Sequence, residues 1–173
     1  KKYNITYLSN VDDLDKFKIS IDAAFICTPS KLHIDQVIKL IKKNINIFVE
    51  KPLGANLKNI KSLKLLIKRK KKLKNMMGFQ MKFNPIILKL KSIVQKKTLG
   101  SIYSIDINHG EHIGDFHPYE NYKNSYAAKK KLGGGVLLTQ IHELDYLYFI
   151  FENYKLRILN SISYKISDLN IDV

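Results

Sequence analysis

The alternation of short apolar runs with amphipathic segments is the feature that most constrains how this chain can fold. The apolar runs have the length of buried strands, and they are 22–28, 45–51 and 76–79. Between the first two, apolar residues recur at helical spacing, at Ile34, Val37, Ile38 and Ile41. Asn56 begins a second such helix. Strands and helices in this order predict an α/β fold with a doubly wound parallel sheet and right-handed crossovers.

Weaker signals flank this unit. Before it, residues 5–8 suggest a strand, and Ser9 or Asn10 could cap a short helix. After residue 80 the pattern predicts a helix that begins at Asn84-Pro85 and a strand over 102–108. A long polar loop then covers 109–132, and the triple glycine introduces a single helix over Val136–Phe151. The tail from Ile158 to Ile166 alternates loosely, as sheet does.

The high positive charge of the chain suggests a nucleic-acid partner, but the kinds of basic residue argue against one. The net charge is +15, but only Arg69 and Arg157 of the 30 basic residues are arginines. Because recognition of bases and bidentate recognition of phosphates favour arginine, we expect no nucleic-acid partner. No apolar run is long enough to span a membrane, and Cys27, the one cysteine, lies in an apolar strand. We therefore expect no membrane association and a reducing compartment, with the cytoplasm as the default.

Lys51 is the strongest candidate for chemistry. It follows an apolar strand and precedes Pro52, so it should stand at the carboxyl end of a parallel strand, where such sheets bind ligands. The alternative is a solvated Lys-Pro turn. His142 shares a helix face with Thr139 and Asp145 and could relay protons, or it could be a half-buried histidine bonded to a neighbour.

Other site types have little support. The histidines of the long loop match no ligand spacing, so no metal is expected; they are His109, His112 and His117. The sequence contains no G-x-S-x-G elbow of a serine hydrolase and no G-x-G-x-x-G phosphate loop. By itself the sequence therefore provides no recognisable phosphate cradle.

Four stretches together resemble the glucose–fructose oxidoreductase, inositol dehydrogenase and MocA family of nicotinamide-dependent oxidoreductases. They are 22–29 with His33, 48–53, 78–85 and 133–145. The resemblance implies that residues 1–80 are part of a Rossmann domain. Residues 81–173 would then begin a substrate and oligomerisation domain with a large, open, mostly antiparallel sheet. Because the family's phosphate loop and about half its length are missing, we expect a chain truncated at both ends.

The resemblance also implies roles for individual residues. Lys51 would exchange a proton with the reacting hydroxyl, and His142 would contact that hydroxyl. The residues implied along NAD or NADP are Thr28, Pro29, His33, Glu50, Lys51 and Gln80. Those implied around the substrate are Lys82, Asp115, His117, Tyr126, Thr139 and His142. Two of these depart from the family pattern, because Thr139 stands where many members carry Asp and Lys82 where Arg is frequent.

Three hypotheses follow from these observations. The first is an NAD(P)-dependent oxidoreductase acting on a sugar or nucleotide sugar, as in surface polysaccharide synthesis, and forming a homodimer or homotetramer. The second is a non-catalytic relative that binds a sugar or the cofactor as a sensor or scaffold, motivated by Thr139 and the missing phosphate loop. The third is a basic protein that binds polyanions, for which affinity would fall steeply with salt.

Overall fold

A three-stranded parallel sheet forms the centre of the first half of the chain. The computed structural model describes residues 10–16 and 20–165. The strands are β1 (Ala23–Ile26), β2 (Asn46–Val49) and β3 (Asn75–Met77), and they lie in that order in the sheet. Both strand pairs are parallel. The parallel sheet predicted from the apolar runs is therefore confirmed, while the strand expected over 5–8 and the cap expected at Ser9 lie outside the described residues.

Helices α1 (His33–Lys42) and α2 (Ile60–Arg69) connect the strands. A 3-10 turn over Ser30–Leu32 precedes α1, and the Ser30 side chain makes no cap bond. Its hydroxyl instead lies 3.5 Å from the Gly133 carbonyl, far along the chain. The start expected for α2 at Asn56 is wrong by four residues. The Asn56 carboxamide accepts a bond from the Lys58 amide, which forms a turn before the helix.

The apolar faces of α1 and α2 cover the sheet. Ile41 on α1 is fully buried at 0% exposure, and Leu63 on α2 is 1% exposed. They pack in one cluster with the inward residues of the strands, among them Ile26, Ile47 and Val49. Burying an aliphatic side chain of this size contributes about 1.5–3 kcal/mol to folding. This cluster therefore fixes the strands whose carboxyl ends carry the candidate site.

A second apolar cluster forms between two helices of the later part of the chain. Helix α3 (Pro85–Gln95) begins as predicted, with the Asn84 side chain accepting a bond from the Ile86 amide at 2.8 Å. It packs against helix α6 (His142–Ile150), described below, through buried residues of both segments, namely Ile87, Val94, Ile150 and Phe151. A 3-10 turn over Gln80–Phe83 joins β3 to this unit.

Three predictions for this later part are wrong. Residues 102–108 and 155–165 form no strand, so no antiparallel sheet exists among the described residues after 80. Their alternating side chains are exposed, as Tyr103 is at 96%, because no neighbouring strand pairs with them. The loop 109–132 contains helix α4 (Ile113–Phe116) and three 3-10 turns. The helix expected over Val136–Phe151 is divided into α5 (Val136–Thr139) and α6.

Within the described ranges, no helix has the length and apolar character needed to cross a membrane. Cys27 immediately follows β1 and is exposed, not buried in a strand as expected. The alternation of the apolar run placed Ile26 in the core and left the next side chain on the outer side of the chain.

Candidate active site

The carboxyl ends of the three parallel strands define the edge at which the site lies. The ladder extends past β2 and β3, because the Glu50 amide donates to the Ile26 carbonyl at 2.9 Å and the Gly78 amide to the Val49 carbonyl at 2.8 Å. Lys51 is the next residue after this ladder. Parallel sheets bind their ligands outside this edge. The position expected for Lys51 from the sequence is therefore the one that the fold gives it.

The break between α5 and α6 provides the partner of Lys51. The Lys51 Nζ donates a hydrogen bond of 2.6 Å to the Thr139 carbonyl. In a continuous helix this oxygen would accept the amide of residue 143. The helix instead ends at Thr139, with Gln140 at φ −104° and ψ 35°. The interruption leaves an acceptor at the site, which the half-buried ammonium of Lys51 uses.

Burial and nearby carboxylates act in opposite directions on Lys51. Burial lowers its pKa from the ordinary value of 10.5, and the charges of Glu50 and Glu143 oppose that decrease. The Glu50 Oε2 also accepts the Lys51 amide at 3.3 Å. Its carboxylate lies against Gly78, where a Cβ would come within 3.0 Å of Oε2. The glycine thus makes room for the acidic group beside the lysine.

His142 begins α6, three residues after the Thr139 whose carbonyl holds Lys51. Burial and the positive charge of Lys51 lower its pKa, and the carboxylates of Glu143, Asp145 and Glu50 partly offset this. The Nδ1 atom is buried, and it finds no hydrogen-bond partner in the described part of the chain. The ring meets Phe79 edge-on, with centroids 6.1 Å apart. A neutral imidazole with a free nitrogen is therefore available beside Lys51.

Thr139 and Tyr126 complete the surroundings of the lysine. The Thr139 hydroxyl donates to the Gly135 carbonyl at 2.8 Å, so this side chain is turned into its own helix and only the backbone oxygen faces Lys51. Burial and the charge of Glu50 raise the pKa of Tyr126. The structure therefore brings Tyr126 near Glu50, although the two residues are far apart in sequence.

His33 has a different environment from the one expected along a cofactor. It is 1% exposed, and each ring nitrogen faces a backbone carbonyl oxygen. Nδ1 lies 2.7 Å from the Pro52 carbonyl and Nε2 lies 2.6 Å from the Thr28 carbonyl. The ring thus ties the segment after β1 to the segment after β2 and offers no free nitrogen to a ligand. Thr28 itself is half-buried and donates its hydroxyl to the Gln36 side chain at 2.6 Å.

Four residues predicted for the site have other partners or surroundings. Lys82 pairs with Asp145 of α6 at 2.8 Å. The His117 ring is hydrogen-bonded to the Tyr119 hydroxyl at 2.8 Å. The other two residues, Asp115 and Gln80, are exposed. In the described ranges no hydrogen bond or ion pair joins these four to Lys51 or His142.

Glu143 is the residue that the sequence analysis missed. Its charge acts on both Lys51 and His142, and one of its carboxylate oxygens is buried without a partner among the described residues. The available signal was an acidic residue directly after the candidate histidine in the first turn of a helix. In the described ranges no three His, Cys, Asp or Glu side chains come close enough to hold a metal ion.

Fold and site together define a Rossmann-type α/β protein with a lysine and a histidine at the carboxyl edge of its parallel sheet. Residues 1–79 match the model of the oxidoreductase family with an NAD-binding Rossmann fold. The first part of the chain is therefore similar to the NAD-binding domain of this family of oxidoreductases, which includes glucose–fructose oxidoreductase, inositol dehydrogenase and MocA.

Individual relatives agree with this similarity. The chain is 29% identical over 118 residues to trans-1,2-dihydrobenzene-1,2-diol dehydrogenase of Xenopus tropicalis, which covers 68% of this chain and 33% of that protein. It is 30% identical over 88 residues to inositol 2-dehydrogenase of Rhizobium meliloti, covering 50% and 26%. The chain spans between about a quarter and a half of the curated relatives it matches.

A solved structure extends the likeness beyond residues 1–79. Scyllo-inositol dehydrogenase from Lactobacillus casei, described with bound cofactor NAD(H) and scyllo-inositol, superposes with a TM-score of 0.58 at 27% identity. The match covers 77% of this chain and 38% of that one. A match of this extent is longer than the parallel sheet and its helices, so it continues past β3.

Proposed function

We propose that the protein is an NAD(P)-dependent oxidoreductase. It would transfer a hydride between nicotinamide and a carbon that bears a hydroxyl or keto group in a sugar or nucleotide sugar. The observation that carries the proposal is the bond of 2.6 Å between the Lys51 Nζ and the Thr139 carbonyl. This bond holds an acid–base group of the parallel sheet beside His142, although 88 residues separate the bonded pair. The match of residues 1–79 to the oxidoreductase family and the dehydrogenase relatives support the same reaction class.

The residues at the sheet edge fit the nicotinamide end of such a cofactor. Thr28, Pro29 and Glu50 follow the carboxyl ends of β1 and β2, and Gln80 is exposed just beyond β3. The Nδ1 of His142 is buried and has no partner among the residues that the structure describes, so it marks a polar position that a ligand group would satisfy. When bound, the cofactor would accept or donate the hydride at nicotinamide C4. His33 would contribute indirectly, by holding the two segments that follow β1 and β2.

Lys51 would carry the proton of the reaction. In the oxidation direction its uncharged amine takes the proton of the reacting hydroxyl, so the O–H bond breaks, an N–H bond forms, and the ammonium rests on the Thr139 carbonyl. Burial lowers the pKa of Lys51, which makes the uncharged amine more accessible near neutral pH. His142, whose pKa is also lowered by burial and Lys51, would hydrogen-bond the same oxygen as a neutral imidazole.

Several observations support a polyhydroxylated substrate. Two of the relatives are named for an inositol and for a cyclic diol, and both of these compounds carry hydroxyls on neighbouring ring carbons. Tyr126 lies near Glu50 and could donate to such a hydroxyl. The lysines of the adjoining loop, Lys129, Lys130 and Lys131, suit an anionic ligand such as a nucleotide sugar. A role in surface polysaccharide synthesis, a cytoplasmic location and a homo-oligomer belong to the same proposal.

The reaction is tested by following NADH or NADPH absorbance at about 340 nm with a panel of inositols, sugars and nucleotide sugars. Lys51→Ala should reduce kcat by about 10²–10⁴-fold, which is the usual contribution of acid–base catalysis. Lys64→Ala, at an exposed position on α2, is the matched control and should leave turnover unchanged. Turnover by Lys51→Ala within a few-fold of the parent would refute the role of Lys51.

A second function has one observation in its favour. The Thr139 side chain is bonded within its own helix and cannot act as a carboxylate base. A relative that binds the sugar or cofactor without turnover would share the fold and the site. Calorimetric binding of a sugar together with NAD or NADP, with no absorbance change in the wild type, would favour this non-catalytic function.

A further inference from the structure

Lys82 lies at the junction between the turn that follows β3 and helix α6. The resemblance placed this lysine around the substrate, but its ammonium already has neighbours within the protein. Its Nζ lies 2.8 Å from the Asp145 Oδ1, 5.1 Å from the centroid of the Phe79 ring and 5.9 Å from that of Phe149. A cation within about 6 Å of a ring centroid is attracted by the face of the ring. The lysine therefore joins one carboxylate and two aromatic rings from two separate segments.

The backbone of each segment places these side chains in matching positions. At the turn, the Lys82 amide donates to the Phe79 carbonyl at 3.3 Å, and side chains three residues apart in a 3-10 turn lie on the same side. On α6, residues three and seven positions apart share one face, and this face carries His142, Asp145 and Phe149. Two residues at the turn therefore face three residues of the helix.

Phe79 links this junction to the candidate active site. Its ring meets the His142 ring edge-on, with centroids 6.1 Å apart and an angle of 78° between the two planes. Edge-to-face packing is a preferred arrangement of neighbouring rings, so the position of Phe79 limits how the imidazole can turn. Lys82 contacts the face of the Phe79 ring and also pairs with Asp145, which lies one helical turn after His142.

The burial of Asp145 shows why a positive charge at position 82 matters. The Asp145 side chain is 10% exposed, whereas that of Lys82 is 36% exposed. Breaking an ion pair from one side leaves the other charge uncompensated, and the effect is greatest where that charge is buried. Lys82→Met keeps much of the apolar stem of the lysine and removes the ammonium. The turn and α6 then lose their charged contact, and we expect water to enter beside Asp145 and separate the two segments.

We propose that Lys82 is a positioning residue for His142. By joining Asp145 to Phe79, its ammonium fixes α6 against the turn after β3 and holds the imidazole in the orientation needed to bond the reacting oxygen. A functional side chain keeps a productive geometry when its neighbours are themselves locked by packing and polar contacts. The kinetic consequence rests on the proposed function, whereas the orientation of the ring does not depend on turnover.

Lys91 on α3 provides a matched control. Its Nζ lies 2.8 Å from the Glu152 Oε2 and 3.6 Å from the centroid of the Phe149 ring, so it makes the same two kinds of contact. Glu152 lies beyond the C-terminal end of α6, whereas His142 begins this helix. Lys91→Met should therefore lower the Tm about as much as Lys82→Met does, by about 2–6 °C, and leave the His142 ring in place.

The orientation of the ring is measured by NMR in the full chain. The edge-on contact predicts a nuclear Overhauser cross-peak between ring protons of Phe79 and His142, assigned from Phe79→Leu and His142→Gln. Lys82→Met should lose this cross-peak and Lys91→Met should keep it. Lys82→Arg should also keep it, because a guanidinium both pairs with carboxylates and stacks on aromatic rings. A cross-peak of wild-type intensity in Lys82→Met overturns the proposal, and so does its absence from the wild type.

Kinetics separate positioning from direct contact with the substrate. Lys82→Met should lower kcat about tenfold and leave KM within about twofold of the wild type, since misplacing a functional group by about 1 Å costs up to about 10²-fold. Lys82→Arg and Lys91→Met should keep the wild-type kcat to within about threefold. A raised KM with an unchanged kcat in Lys82→Met would assign Lys82 to substrate binding and overturn the proposal.

Two further results keep the proposals separate. If Lys82→Met folds poorly by circular dichroism, Asp145→Asn removes the same ion pair from the α6 side and is judged by the same cross-peak. If the wild type oxidises no substrate, the proposed reaction fails, while the cross-peak still decides whether Lys82 positions His142.

Discussion

Replacing His33 by alanine tests how the two segments that carry the site are held together. The ring is 1% exposed, and its Nδ1 and Nε2 atoms lie 2.7 and 2.6 Å from the Pro52 and Thr28 carbonyls, with each neutral tautomer donating to one of the two. Its removal leaves two backbone carbonyls without that partner and opens a cavity. A lost buried hydrogen-bond partner costs about 1–3 kcal/mol, and cavities add to that. Since the carbonyls can regain part of this from water, we expect a loss of about 3–4 kcal/mol in the free energy of unfolding.

Thermal and urea unfolding followed by circular dichroism measure this loss for His33→Ala. A loss of about 3 kcal/mol corresponds to a decrease in Tm of roughly 6–12 °C for a chain of this size. His112→Ala is the matched control, because that side chain is 71% exposed, and its Tm should change by less than about 2 °C. A loss below about 1 kcal/mol in His33→Ala would show that the ring does not hold the two segments, and the reasoning would be wrong.

Two further predictions concern the immediate surroundings of Lys51. Gly78→Ala places a methyl group 3.0 Å from the Glu50 Oε2, at the flexible end of a side chain, so Tm should change little while kcat falls several-fold as the carboxylate is displaced. An unchanged kcat would show that the placement of Glu50 does not matter. Burial lowers the pKa of Lys51 in the folded chain below its ordinary value of 10.5. Between these two pKa values the unfolded chain holds a proton that the folded chain has released, so the free energy of unfolding should rise with pH across that window. Urea unfolding at two pH values in that window should show a smaller rise in Lys51→Met; an equal rise would contradict the lowered pKa.

The parallel sheet was predictable because its information is local. Each strand is a short apolar run that ends in polar residues or proline, and each helix shows its apolar face within a few turns. The position of Lys51 at the sheet edge followed from the same rules. The strand predicted over 102–108 is wrong because a strand needs a partner as well as a local pattern, and no described segment pairs with these residues.

The site itself depends on contacts that no local pattern contains. The break between Thr139 and His142 leaves the Thr139 carbonyl free to accept a bond from the ammonium of Lys51, which is 88 residues away along the chain. The sequence over Val136–Phe151 has no proline or internal glycine that would predict an interruption. Likewise, the burial of His33 depends on how Pro52 folds back over α1. Local propensity identified the candidate residues but could not assign their partners.

The use of a main-chain oxygen to hold Lys51 has a consequence for how this site can vary in evolution. Every amino acid except one that breaks the local backbone provides the same carbonyl at position 139. The side chain there is therefore free to change without releasing the lysine, whereas a side-chain acceptor would have fixed its identity. The resemblance described above implies an aspartate at this position in many similar proteins, and the threonine here supplies the lysine with the same backbone oxygen.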